Sequence, residues 1–227
     1  YSLDSSRSVV NWPQSKSFPL NTELSATVTF KGKPKGYHLS SVTPDARYVS
    51  IKFRHSFVAL PEQGYQPRAF HPYSGYFAFS FDDYSQPIAK PLTQRYITRH
   101  RLDFDPLGNV IAPITYYLDP GVPEPVRGAL LDGARWWTSA FEKAGLNNAF
   151  EVKMLPAGAD PLDIRYNVIQ WVHRSTRGWS YGSSVVDPRN GEILKGHVTL
   201  GSLRVEQDYH IASGLLAGQA DGKKRAQ

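Results

Sequence analysis

Cysteine is absent from the 227 residues, which excludes disulfides and any thiolate metal site. Long apolar runs are absent too. No stretch approaches the roughly 18 residues that a membrane-spanning helix needs. No H-E-x-x-H occurs, and none of the seven histidines stands three or four residues from another. Two imidazoles on adjacent helical turns, the usual helical zinc pair, are therefore missing. No G-x-S-x-G elbow and no phosphate loop ending in Lys-Ser/Thr is present. Residue 1 is tyrosine rather than methionine, so the reading expects a processed or cut piece of something longer.

The chain does have aromatic residues, 5 Trp, 13 Tyr and 11 Phe, enough to build a real core. The net charge is +6, and most of the excess lies in the first 96 residues. Basic residues are scattered and no helix presents a basic face, so nucleic acid is not the expected partner.

The clearest long helix runs over Pro123–Ala144. Val126, Leu130, Ala134, Trp137, Phe141 and Ala144 recur every three to four residues. Pro123 and Pro125 fit a first turn, and Gly145 fits the stop. Trp136, Trp137 and Phe141 need a broad surface to cover. The flanking strands Pro113–Leu118 and Phe150–Leu155 offer one, as a βαβ unit with a right-handed crossover. Further strands are expected at Ile164–Val172, Trp179–Val186 and Ile193–Leu200, the last two as a hairpin around Asp187–Gly191. A helix from Leu203 to Leu216 then starts. Before this region, alternation marks strands around Leu24–Phe30, Val49–Phe53 and Phe77–Phe81, with no helix in the first 85 residues. Gln86–Thr93 reads as a crossing segment and Tyr96–Leu102 as a strand. The fold class is α+β: an extended arm (1–22), a β-rich lobe (23–95), an α/β subdomain with one long helix (96–217) and a frayed tail (218–227).

Few residues carry chemistry. Asp82 and Asp83 are adjacent on a strand and point to opposite faces, which does not suit paired carboxylate catalysis. His173 ends an apolar strand beside Arg174, and His197 alternates with Val198. Ser180, Ser183 and Ser184 lie in no G-x-S-x-G elbow and are weak nucleophile candidates. Gly182, Ser183 and Ser184 have small side chains on an edge strand, along which a peptide backbone could pair. Tyr73, Tyr76, Phe77 and Phe79 would serve a peptide- or glycan-binding module if their rings are exposed, and a core if they are not. A structural protein derived from an inactive enzyme is a third reading.

Four segments carry a resemblance: GKPKGYHLSSVTPDARYVSIKFRHSFVALP (Gly32–Pro61), YQPRAFHPYSGYFAFSFDDYSQPI (Tyr65–Ile88), YYLDPGVPEPVRGALLDGARWWTSAFEKAG (Tyr116–Gly145) and DPLDIRYNVIQWVHRSTRGWSYGSSVVDPRNGEILKGHVTLGSLRVEQDY (Asp160–Tyr209). The chain resembles large bacterial zinc-dependent metalloproteases that carry an uncharacterised N-terminal domain before a metzincin-like catalytic domain. The resemblance implies a secreted or periplasmic enzyme acting on peptides or proteins. It implies the upper part of a zincin-like sheet domain here, ending before the H-E-x-x-H helix. No catalytic residue and no metal ligand of the family falls on this chain, and zinc is implied only for the complete protein. Trp179–Val186 would be the antiparallel edge above the cleft, with Gly182–Ser184 holding substrate backbone. Ile193–Leu200 would be the strand before the zinc helix. Trp136, Trp137, Phe141, Trp171 and Trp179 would be scaffold. The isolated chain is expected to be inactive, to expose apolar surface on the helix-covered face of the sheet, and either to self-associate there or to be unusually flexible over residues 203–227.

Overall fold

The computed structural model describes residues 1–62, 64–174 and 179–216. The chain is α+β, β-rich towards its N-terminus, with one long helix. It divides into two compact units, one formed by residues 1–62 with Leu162–Ile164 and the other by the remaining described chain.

In the first unit β1 (Ser2–Leu3), β2 (Val9–Val10) and β3 (Lys16–Ser17) pair in turn along one edge of β4 (Asn21–Lys31). A short helix α1 (Tyr37–Val42) follows, and β5 (Tyr48–Val58) pairs antiparallel along the whole other edge of β4. The expected arm is thus extended, as edge strands. The alternation in β4 predicted its strand but not its better-covered face. Asn21, Glu23, Ser25 and Thr29 are buried, while Leu24, Ala26, Val28 and Phe30 are only half-buried. Hydrogen bonds explain the inversion. Asn11 Nδ2 donates to Thr27 Oγ1, Thr29 N to Ser8 Oγ, Ser25 N to Ser15 Oγ, and Ser56 Oγ to Glu23 Oε2. A satisfied polar row can be buried without the desolvation cost an orphaned one carries.

The second unit opens with the hairpin of β6 (Ala78–Asp82) and β7 (Thr93–Ile97). Residues 86–93 are therefore largely the hairpin connection, not a crossing segment, and the strand expected at Tyr96–Leu102 lies a few residues earlier. This hairpin belongs with the second unit, so the contacts divide the chain after Glu62 and not near residue 95. Next come β8 (Ile114–Leu118), α2 (Val126–Lys143), β9 (Phe150–Met154), β10 (Asn167–Val172), β11 (Tyr181–Val186), β12 (Ile193–Gly201) and α3 (Arg204–Leu216). Five of these strands form one sheet in the order β11-β12-β10-β8-β9. β12, β10, β8 and β9 are parallel neighbours, and β11 is the antiparallel edge. The turn of that hairpin is closed by Asp187, whose carboxylate accepts from the Arg189 guanidinium and backbone N–H.

The long helix begins later than its sequence pattern suggested. Pro125 lies outside it as the cap residue. A residue that precedes proline avoids the helical region, so Glu124 cannot open a helix. The backbone N–H groups of Arg127 and Ala129 still bond to the carbonyls of Pro123 and Pro125. Leu118, Val122, Val152 and Ile169 form the core, with Val126, Leu130, Leu131 and Ala134 of α2 packed on it. Beyond Ala134 the cover is partial: Phe141 stacks on Phe150 with centroids 5.5 Å apart and Thr138 Oγ1 donates to Phe150 O, but the tryptophans are open. Trp136 is 79 % and Trp137 63 % exposed, so the two tryptophans do not bury on the sheet as their spacing suggested.

Candidate functional site: an apolar groove and an open sheet edge

Two features of the second unit can recognise something. The first is a groove beside α2. Parallel pairing sets Ile169 beside Val198 and Trp171 beside Leu200, so these four form a continuous apolar strip across β10 and β12. Ile169, Val198 and Leu200 line the groove together with Ala129, Gly133, Ala134, Trp137 and Phe141 of α2. Small residues at Ala129 and Gly133 leave space where larger side chains would fill it. The cavity is about 450 Å³, within the usual range of roughly 300–1,000 Å³ for ligand pockets.

His100 closes one side. Its Nε2 lies 3.2 Å from the Tyr116 hydroxyl. The Tyr116 ring also packs against Phe150, with centroids 5.8 Å apart. Burial pushes the His100 imidazole down to about 4, and burial raises the Tyr116 phenol. At neutral pH the pair is therefore an uncharged hydrogen bond at the edge of an apolar space. Tyr116 reaches this position because residue 196 is glycine: a Cβ there would meet the hydroxyl and stand 2.6 Å from Cζ. Between them, Asn167 ties both neighbouring strands, donating to Thr115 O at 2.8 Å and accepting from Gly196 N at 2.7 Å. Trp171 Nε1 is buried and finds no acceptor among the described residues.

The second feature is β11. It lies at the end of the strand order, so among the described residues only its β12 side is paired. Gly182, Ser183 and Ser184 face Val198, His197 and Gly196 across that pairing and are exposed. An exposed strand edge offers main-chain donors and acceptors to an extended chain. The approach to β11 is fixed by Arg174, which donates to Trp179 O at 3.2 Å, and by Ser180 Oγ, which accepts from Gly201 N at 3.2 Å. Trp179 is exposed beside it.

The remaining sequence candidates do not converge. His197 is half-buried and lowered by burial, then by Lys195. His173 is exposed, with Nδ1 3.0 Å from Ser202 Oγ. Asp83 caps its own turn through Ser85 and Gln86. Arg177 and the 218–227 tail lie outside the described residues. Among the described residues no three His, Asp or Glu side chains could hold a metal ion. The His100–Tyr116 pair escaped the sequence reading because its partners are 16 residues apart on separate segments. The one visible signal was the glycine at 196 inside the strand, on the same face as Val198 and Leu200.

A family model described as a domain of unknown function, DUF5117, matches residues 1–104. That match ends before β8, so of the groove it includes only His100, and it does not reach the open edge. No curated protein and no solved structure matches the chain.

Proposed function

We propose that this chain is the front portion of a zinc-dependent metallopeptidase, a secreted or periplasmic enzyme when complete. The observation that carries the proposal is the sheet order β11-β12-β10-β8-β9, in which β11 alone runs antiparallel and forms one edge. The sequence resemblance calls for that arrangement: an antiparallel edge over the cleft, then a strand leading towards the metal-binding helix. In this role β11 pairs with the backbone of a peptide substrate through Gly182–Ser184, and Trp179 flanks it. Side chains of the described residues do not make up a zinc ligand set. No step is therefore routed through the metal on this chain, whose part is to orient substrate backbone and to build the scaffold.

The test is made on the protein that contains this chain. Its reading frame beyond Gln227 should encode H-E-x-x-H, and the purified protein should hold one zinc and cleave a denatured protein in a chelator-sensitive way. A frame without the motif, or a zinc-loaded protein that cleaves nothing across a broad peptide library, sinks the proposal.

One observation favours a second reading, a peptide- or glycan-binding module. Tyr73 is 93 % and Phe77 89 % exposed, and Tyr76 is also open, whereas Phe79 is half-buried against Phe81. Exposed rings can stack on sugar or peptide faces. Under this reading, Tyr73→Ala and Phe77→Ala abolish retention on an immobilised polysaccharide or peptide while leaving the melting temperature unchanged. Retention equal to that of the wild type would exclude it.

A further inference from the structure

In an α/β layer, a helix that follows a parallel strand returns over the sheet and covers its apolar face. α3 follows β12 directly, yet it packs extensively along no other described element. Val205, Tyr209, Ile211 and Leu215 on it are all exposed, Leu215 by 79 %. On the same unit, α2 covers Ile169 but leaves Trp171, Val198 and Leu200 of the strip beside it only half-buried. The chain thus carries both an exposed apolar helix and an apolar groove that α2 walls on one side and leaves open on the other.

The turn into α3 is tied down. Ser202 N donates to Val172 O at 3.0 Å, and Ser202 Oγ bonds to His173 Nδ1. These bonds anchor Ser202, two residues before α3, and a second copy can supply a helix to the groove with this anchor in place. We propose that the groove is closed by a second copy of this chain: α3 of each copy lies along α2 and the β10–β12 strip of the other.

Area favours the reciprocal arrangement. A helix of 13 residues is about 20 Å long and about 10 Å across. Laid in a groove it buries about 300 Å² of its own surface and a similar area of the groove. One docked helix therefore buries about 600 Å², below the roughly 1,000 Å² a specific interface needs; two bury about 1,200 Å². Reciprocal exchange also closes the assembly, where one-way docking would leave a free helix and a free groove at its ends. Trp137, 63 % exposed at the groove wall, is the kind of large apolar anchor on which such an interface centres. The inference concerns the 227-residue chain and does not rest on the peptidase reading.

The experiment is sedimentation equilibrium of the 227-residue chain, combined with disulfide trapping. The expected mass is twice 25.4 kDa. Because the chain has no cysteine, single variants Ala129→Cys in the groove and Ala212→Cys on α3 can be mixed and oxidised; both positions are exposed. The expected product is a disulfide-linked pair of chains, one of each variant. Leu215→Asp should weaken dimerisation at least tenfold. A monomer at all concentrations overturns the proposal, as does an open-ended series of larger species. A disulfide formed within one chain of the double variant, or a dimer indifferent to Leu215→Asp, overturns it equally.

Discussion

Replacing Gly196 by alanine tests the geometry of the groove at its tightest point. The new methyl would meet the Tyr116 hydroxyl and stand 2.6 Å from Cζ and 3.0 Å from Cε1. The ring has little freedom to yield, because it packs between Phe150 and His100, with centroids 5.8 and 5.9 Å away. Forcing an extra carbon into such a site costs about 1–3 kcal/mol. Displacing the ring also breaks the 3.2 Å bond to His100, which adds about 1 kcal/mol. The expected loss is about 2–4 kcal/mol. For a chain of this size that is a fall of roughly 5–15 °C in melting temperature. Thermal unfolding followed by circular dichroism reads it directly. The partner variant Tyr116→Leu removes the ring, so Gly196→Ala should cost less in that background, by more than about 1 kcal/mol of coupling. NMR titration of the His100 ring gives an independent readout. Its midpoint should rise from about 4 towards 6.5 as the displaced ring admits water. A Gly196→Ala protein within about 0.5 kcal/mol of the wild type, the threshold for an inert surface change, would refute the reasoning. An equal cost with and without Tyr116 would refute it as well.

Acid should weaken the second unit through the same histidine. Its folded value is pushed down to about 4 from 6.5, so between those values the unfolded state binds more protons. The stabilisation is fully present above about 6.5 and is lost as pH falls towards 4, by at most about 3 kcal/mol. Urea midpoints at pH 7 and pH 4.5 should differ for the wild type and differ less for His100→Gln; equal differences would remove His100 as the cause. Asn21→Ala should cost about 3 kcal/mol, because the buried Asn21 amide bonds to Glu23 Oε1, Leu162 O and Ile164 N and its loss orphans buried groups. Hydrogen exchange at the Ile164 amide should speed up in that variant, and unchanged protection would contradict the assignment. Glu192→Gln should cost about 2 kcal/mol, since Glu192 is buried and takes the Arg101 guanidinium through both oxygens at 2.8 and 3.0 Å. A urea midpoint equal to that of the wild type would show the pair to be dispensable.

Much of the second unit's layout was legible in the sequence because its elements obey a single period. The apolar spacing from Val126 to Phe141 can only be a helix, and the adjacent Val168 and Ile169 marked a strand covered on both faces, as both are buried. The proline rule was misapplied. Pro125 suits a first turn on its own, but it also bars Glu124 from the helical region, and that restriction moved the start to Val126. α1 was missed because six residues, YHLSSV, show no repeat of either period. In β4 the alternation was read as apolar in and polar out. Hydrogen bonds from the arm reversed the cover, and no pattern within β4 announces partners supplied from residues 8–15.

The groove was harder to read for a different reason. Periodicity says which side of an element is apolar, and that side is usually the covered one. In α2 the stripe runs from Val126 to Phe141, and Phe141 still stacks on Phe150, but Trp137 between them stays 63 % exposed. The excess of stripe over core is what makes the groove, and it becomes visible only once the strands beneath are placed. A stripe longer than its cover leaves room for a partner, and α3 presents the complementary surplus, with Val205, Tyr209, Ile211 and Leu215 exposed. Two uncompensated apolar surfaces in one unit each carry a cost of about 25 cal/mol per Å² of exposed apolar area. At about 300 Å² apiece that is about 15 kcal/mol for each copy and about 30 kcal/mol over the two, more than a whole domain's net stability of about 5–15 kcal/mol. Even after most of it is lost to immobilising the partners, the remainder favours mating the two surfaces over leaving both in water.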